Sequence, residues 1–376
     1  MRSAHIALLA VFTALCGQWL LVHVAYDDNW TALFCAGDHF NRPPEIQQRE
    51  YIFRASMGYD GQFYQLIAHD PLLARHYDRY IDAPRLRYRR ILVPGLAHLL
   101  AAGRSAWIDQ TYFTVSLLFV GLGVFAMAQL ATREQRSTLW GLLFLIAPAT
   151  LTTLERMTVD ASLAALSLSS LLAARAQRWF LLWLSLAGSA LSKETGLLVP
   201  VAVMVWLVRQ KKLRLAAVLS SSILPVAAWD IFVQTHTTGE YSTSDFHFIT
   251  AYFASVATPL NPGFMPIAFG AATVAAVVAI LWASVRSIHL AMRDRFHDLA
   301  LLLCLCYSII VLVFQNSGIW IEPNGFARVY SPLLLCLLAA TWRQGSVQSL
   351  IAFLVASFPT AIQSGVPLAE RLFRRP

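Results

Sequence analysis

Apolar runs separated by short polar turns recur along almost the whole chain. The first, His5–Ala25, follows a single basic residue, Arg2, and no convincing small-x-small cleavage site precedes Tyr26-Asp27-Asp28. It reads as an uncleaved membrane helix entered from the cytoplasm. Ten further runs predict crossings: Tyr112–Leu130, Leu139–Leu154, Ala161–Ala174, Trp179–Leu191, Leu197–Val208, Leu215–Val233, Phe264–Ser284, Leu299–Phe314, Tyr330–Thr341 and Val347–Ile362. Several of these are short for an average bilayer, which suggests a cavity opening at one face rather than a uniform bundle.

Ile91–Ala102 is apolar too, but shorter than the roughly 20 residues a crossing helix needs. Charge decides how it lies. If it stays in the outer interface, the cytoplasmic turns collect Arg133, Arg136, Arg175, Arg178, Arg209, Lys211, Lys212, Arg214, Arg286, Arg293, Arg295 and Arg343. The outer turns then keep only Arg156, Lys193 and Arg328. A crossing would invert that distribution, against the positive-inside rule. The interfacial placement gives eleven spans, and leaves Arg371, Arg374 and Arg375 as a misfit on the outer side.

The fold class expected is therefore an all-α polytopic membrane protein, one integral membrane domain over 1–376. Residues 26–110 form a long outer loop with juxtamembrane helices, and 111–363 form the bundle. Within the loop, Asn41-Arg42-Pro43-Pro44 breaks the chain and Glu45–Met57 is expected as a surface helix. The composition agrees: 57% of residues are hydrophobic and 13% charged, about half the charged share of a soluble domain. The net charge of +8 is spread over loops between apolar runs, which fits lipid head groups and topology and gives no reason to invoke nucleic acid. The five cysteines form neither a disulfide framework nor a metal-ligand spacing.

The candidate chemistry lies in the outer loop, where Gly58-Tyr59-Asp60-Gly61-Gln62-Phe63-Tyr64 opens a short helix ending near Asp70-Pro71. Asp60 has two readings. As an N-cap, its side chain accepts from the amides of Gln62 or Phe63. As a general base, it takes a proton from a substrate hydroxyl. Arg85, Arg87, Arg89 and Arg90 then fall within six residues, just before Ile91–Ala102. They either anchor the loop to anionic head groups or aim guanidinium forks at one phosphate.

On the same face, Arg156, Asp160, Lys193 and Glu194 sit in turns between spans, where charges persist when paired or facing water. His236, Glu240, Asp245 and His247, then Trp320, Glu322, Asn324 and Arg328, supply groups of the kind that bind sugars and also make ordinary loops. No nucleotide-phosphate glycine loop, G-x-S-x-G elbow or H-E-x-x-H motif is present. An enzyme of this kind would take an activated donor from the membrane.

Tyr59-Asp60-Gly61-Gln62-Phe63-Tyr64 with Ile67-Ala68, the arginine-rich stretch and Pro94 resembles the first-loop pattern of GT-C-type integral membrane glycosyltransferases. It is similar to the aromatic-Asp-Gly motif of the GPI-mannosyltransferase-like branch. The resemblance covers the outer-loop motif, and the many-span layout is compatible with it over the rest. It implies an inverting transfer from a polyprenyl-phosphate-linked sugar donor to a lipid-linked or cell-envelope glycan acceptor, outside an inner or plasma membrane, without cofactor. It implies Asp60 as base; Gln62, Tyr64, Arg87, Arg89, Arg90, Lys193 and Glu194 are the expected substrate-binding residues, Lys193-Glu194 only roughly matching later charged turns. The long spacer from Asp70 to Arg85 departs from the pattern, and Asp27-Asp28 rival Asp60 for the catalytic position. Other classes remain open: a lipid or polysaccharide transporter or flippase, and a non-catalytic scaffold.

Overall fold

The computed structural model describes residues 2–238, 264–313, 323–342 and 345–373. Among these the chain is helical almost throughout, with one short parallel bridge pairing Ala36 with Ile52 and Gly37 with Phe53. The helices are α1 (Ser3–Ala25), α2 (Gly61–His69), α3 (Pro84–Arg89), α4 (Leu92–Leu100), α5 (Ser105–Arg133), α6 (Pro148–Arg156), α7 (Asp160–Arg175) and α8 (Trp179–Ser192). They continue with α9 (Leu198–Arg209), α10 (Leu213–Ser220), α11 (Leu224–His236), α12 (Phe264–Arg293), α13 (Leu299–Val313), α14 (Pro323–Val329), α15 (Ser331–Thr341) and α16 (Val347–Phe373).

Among the described residues five stretches are long and apolar enough to cross a membrane: α1, α5, the α10–α11 run Leu213–His236, and most of α12 and α16. A bent pair raises the number to six: the 3-10 segment Thr138–Ile146 meets α6 at 56°. The bend has a local cause. Pro148, at the first turn of α6, lacks the amide that would carry the preceding segment onward, and it pushes Ala147 to an extended ψ of 137°. The lengths are those of an all-α membrane protein, but they do not confirm the expected count of eleven spans, because α8, α13 and α15 are shorter apolar helices.

In α1, Ile6, Ala10, Ala14, Gln18 and Val22 recur every four residues along one buried ridge that faces α5. Leu8, Leu9, Phe12, Trp19 and Leu20 cover the exposed side. Gln18 is a polar residue on that ridge with a specific partner. Its Nε2 donates to the Leu154 carbonyl at 2.7 Å, in the last turn of α6 where carbonyls lack helical donors.

The segment between α1 and α5 folds over one end of the bundle as a cap with its own apolar core. Phe34, Phe63, Tyr64, Leu66, Ile67, Tyr77, Tyr88 and Ile91 pack there against Ile108, Tyr112 and Phe113 of α5. The expected surface helix over Glu45–Met57 is absent: one turn, Pro44–Gln47, gives way to the Ile52–Phe53 bridge. Burial explains the difference, since Arg42 and Glu50 form an ion pair enclosed under this segment and Arg42 also donates to Gln65 at 2.8 Å. Ile91–Ala102 forms the short helix α4, with Val93, Pro94 and Ala97 buried and Leu99 and Leu100 exposed.

Two glycines set the entry to α2. Gly58 has φ of +68°, and a Cβ there would lie 2.5 Å from the Cys35 carbonyl oxygen. A Cβ on Gly61 would lie 2.2 Å from the backbone oxygen of Arg156, at the end of α6. The Asp-Gly dipeptide therefore brings Asp60 to the junction of cap and bundle by letting backbone touch backbone. Gly61→Ala is expected to cost upwards of about 1–3 kcal/mol through overpacking against a carbonyl that cannot yield. Thermal unfolding in detergent, with Gly95→Ala on the cap as a milder control, checks this; equal melting temperatures would contradict the close approach.

Candidate functional site

Asp60 does not cap α2. Its backbone is already helical at φ −52° and ψ −34°, and its side chain makes no capping bond. Its backbone carbonyl, not its carboxylate, takes the first amides, from Phe63 at 3.1 Å and Tyr64 at 3.3 Å. The carboxylate turns inward. Oδ1 meets Arg87 Nη1 at 2.8 Å, and Oδ2 accepts from Arg328 Nη2 at 2.7 Å. Arg328 reaches on to Asp160 at 3.3 Å, and Lys193 Nζ donates to the other Asp160 oxygen at 2.7 Å. At the far end Arg87 forks onto Asp82 at 3.0 and 2.8 Å.

The result is an alternating chain, Asp82–Arg87–Asp60–Arg328–Asp160–Lys193, joining the cap to the starts or ends of α7, α8 and α14. Its centre is enclosed: the Asp160 and Lys193 side chains are 3% and 6% exposed, and Asp60 is 17% exposed. A second pair lies beside it. Arg90 forks onto Glu194 at 2.9 and 2.7 Å and gives its remaining Nη to the Tyr64 hydroxyl at 2.7 Å. Four carboxylates thus balance four cations, and no member is buried without an opposite charge.

Electrostatics set the state of Asp60. Burial alone would push its carboxyl up, but Arg87 and Arg328, with Arg90 behind them, outweigh burial and hold it well below the usual carboxylate range. It is ionised at neutral pH. Tyr59 lies under this cluster, with the Arg156 and Arg328 guanidiniums 4.5 and 4.9 Å from its ring centre. The three residues of Tyr59-Asp60-Gly61 therefore act separately. The tyrosine ring lies against cations, the aspartate binds guanidiniums, and the glycine allows close contact with α6.

The other expected site residues divide. Tyr64, Arg87, Arg90, Lys193 and Glu194 converge with Asp60. Gln62 is buried behind the cluster, accepting from the Gly37 amide at 3.2 Å and donating to the Met57 carbonyl at 2.8 Å. It holds the Asp60 turn in place. Arg89 points elsewhere and pairs with Asp230 of α11 at 2.8 Å, and Arg85 donates to the Thr237 carbonyl at 3.3 and 3.2 Å. So the four arginines do not aim at one point: two enter the cluster, one binds the middle of α11 and one the residue after it. Asp27 and Asp28 are exposed at the end of α1, Asp28 beside His23 at 2.9 Å, and among the described residues no bond joins either to the cluster.

From the sequence Asp160 and Arg328 read as charges in turns on the same face, not assigned to the site, and Asp82 gave no signal. The clue available was a charge abutting an apolar run, at Asp160 before Ala161 and at Arg328 before Val329. Glu240, Asp245, His247, Trp320 and Glu322 lie outside the described residues, as does the side chain of Asn324. No family model, curated protein or solved structure matches the chain.

Asp160→Asn takes from Lys193 the carboxylate it donates to and from Arg328 one of its two carboxylate partners, and breaking one partner of a buried pair typically costs about 3–5 kcal/mol. A marked fall in detergent melting temperature is expected, with much of it recovered in Asp160→Asn combined with Lys193→Met, where the orphaned cation is gone. A double variant no more stable than the single would mean the Asp160–Lys193 pair is not what holds α7 to the turn after α8.

Proposed function

We propose that this protein is a GT-C-like inverting glycosyltransferase, moving a sugar from a polyprenyl-phosphate donor to the hydroxyl of a lipid-linked or cell-envelope glycan. On this reading the cap faces the extracytoplasmic side of a plasma or inner membrane, and the shorter apolar helices also cross, raising the spans towards eleven. The observation that carries the reading is Asp60 itself: an ionised carboxylate of the resembled aspartate-glycine motif, set among cations where a polar cap meets an apolar bundle.

The chemistry needs few parts. An acceptor oxygen attacks the anomeric carbon from the face opposite the phosphate, forming the new C–O bond and inverting the centre. The bond from that carbon to the phosphate oxygen breaks, and its electron pair leaves with polyprenyl phosphate. The acceptor's proton passes to Asp60. Guanidiniums already fixed in a low-dielectric site stabilise the charge gathering on the departing phosphate without reorganising at the barrier. On this reading Arg87, Arg90 and Arg328, held in the ion pairs described above, would do this, with Lys193 supporting the field from behind. Arg89 is not assigned to the donor. The polyprenyl chain would lie in lipid against the apolar helices.

A general base contributes something like 10²–10⁴-fold in rate. Asp60→Asn should therefore lose at least about a hundredfold in transfer of labelled sugar from polyprenyl-phosphate donors to membrane acceptors. Asp82→Asn also removes a carboxylate from Arg87 but is no base, and should keep most activity, as should Asp27→Asn and Asp28→Asn. Comparable losses for Asp60→Asn and Asp82→Asn would reduce Asp60 to an ion-pair residue. A wild-type protein that moves a lipid-linked substrate across proteoliposomes without any covalent product would favour transport instead.

A further inference from the structure

The resting cluster leaves its proposed base covered, because each Asp60 oxygen already holds a guanidinium. The two guanidiniums are not equally committed. Arg87 uses Nε and both terminal nitrogens on Asp82 and Asp60, and sits 5.0 Å from the Phe63 ring centre. Arg328 makes one short bond, to Asp60, and one longer bond, to Asp160, whose nearer partner is Lys193. Its Nε–H is buried and finds no hydrogen-bond partner among the described residues. Among the cations of this cluster it alone has a buried side-chain nitrogen with no hydrogen-bond partner among the described residues.

Charge balance adds a constraint. Asp60, Asp82, Asp160 and Glu194 neutralise Arg87, Arg90, Lys193 and Arg328, so an arriving phosphodiester meets no surplus cation within this set. From this set it can draw a cation only by taking one from a resident carboxylate. Arg328 can present a planar fork, its idle Nε–H beside the Nη2 that now holds Asp60, to a phosphate's two oxygens.

We propose that Arg328 is the exchangeable counter-ion of this site: the donor's phosphate displaces Asp60 from Arg328, and the released carboxylate oxygen becomes the proton acceptor. This rests on the glycosyltransferase reading and orders it, since the base is uncovered only after donor binds. Arg328 thus acts twice, as a positioning residue for Asp60 at rest and as the phosphate ligand once loaded. Asp160 keeps its Lys193 bond throughout and prevents Arg328 from leaving with its new partner.

The test uses the full chain in lipid nanodiscs, with a polyprenyl phosphate as probe and the corresponding polyprenol as control. Because Asp60 competes with the phosphate, Asp60→Asn should bind polyprenyl phosphate more tightly than wild type, by about tenfold, although it is inactive. Adding Arg328→Gln should erase that gain, and the polyprenol should show no difference. Wild-type binding with equal or weaker binding by Asp60→Asn would overturn the exchange while leaving the glycosyltransferase reading standing. No binding by either protein would sink both. If Asp60→Asn does not fold, wild type supplies a second readout: carbodiimide labelling of Asp60, followed by peptide mass spectrometry. It should rise several-fold on adding polyprenyl phosphate, with Asp160 unchanged, whereas unchanged or reduced labelling of Asp60 would overturn the exchange.

Discussion

The contact between Asp60 and Arg328 joins residues 268 positions apart and ties the polar cap to the last third of the chain. Without it, α14 would carry a buried guanidinium and the cap a buried carboxylate, each at a desolvation cost of several kcal/mol. Together they become tolerable, but only because each has a further opposite charge: Arg87 for Asp60, and Asp160 for Arg328. The members of the network therefore depend on one another. Removing a member leaves its neighbours underpaired, so α2, α3, α7, α14 and the turn after α8 are constrained to arrive together.

That constraint explains features with no meaning on their own. Gly61 permits the approach of Asp60 to the end of α6, and Gln62 braces the turn from behind through Gly37 and Met57. The Tyr64 hydroxyl, buried at the centre of the cap core, is reached by Arg90 from one side and lies on the helix that carries Asp60. Arg89 and Arg85 fix α3 to α11 and to the residue after it, holding the segment so that Arg87 and Arg90 face inward. The arginine-rich stretch thus divides along a short helix, Arg85 and Arg89 docking on α11 and its following residue while Arg87 and Arg90 enter the charged cluster.

Much of the architecture was legible in residue order because burial in lipid writes long apolar runs into the chain. The boundaries of α1, α7, α8, α13 and α15 follow those runs within a few residues. The break at Ala147-Pro148 was written in the sequence as well, but a continuous span was expected there because hydropathy carries no record of a missing amide. The same limit applied at Glu45–Met57, where a buried Arg42–Glu50 pair replaces helix with irregular backbone. In the site, Asp60 was marked by its glycine and aromatic neighbours. Of its partners, Arg87 lay in the arginine-rich stretch already singled out, but nothing tied Arg328 to it, since ion pairing between residues hundreds of positions apart leaves no periodicity in one sequence. Four arginines in six positions looked equivalent on the page, and only the three-dimensional arrangement separates the two that meet Asp60's cluster from the two that meet α11.

A base works best when its proton affinity lies near the operating pH, where it is both ionised and able to hold a proton. Asp60 at rest satisfies only the first condition, because two guanidiniums have drained its basicity. If it serves as the base, the arrangement at the barrier must differ from the resting one, and the change must come from something that competes for cations. A phosphate-bearing donor does so by its nature. Its arrival would lower the positive field on Asp60 while its own negative charge adds to the local potential, and both effects raise the carboxylate's proton affinity. The same anion that brings the sugar would thus make the base able to receive the acceptor's proton. The pairing that stabilises the empty site would also keep Asp60 inert until there is a sugar to transfer.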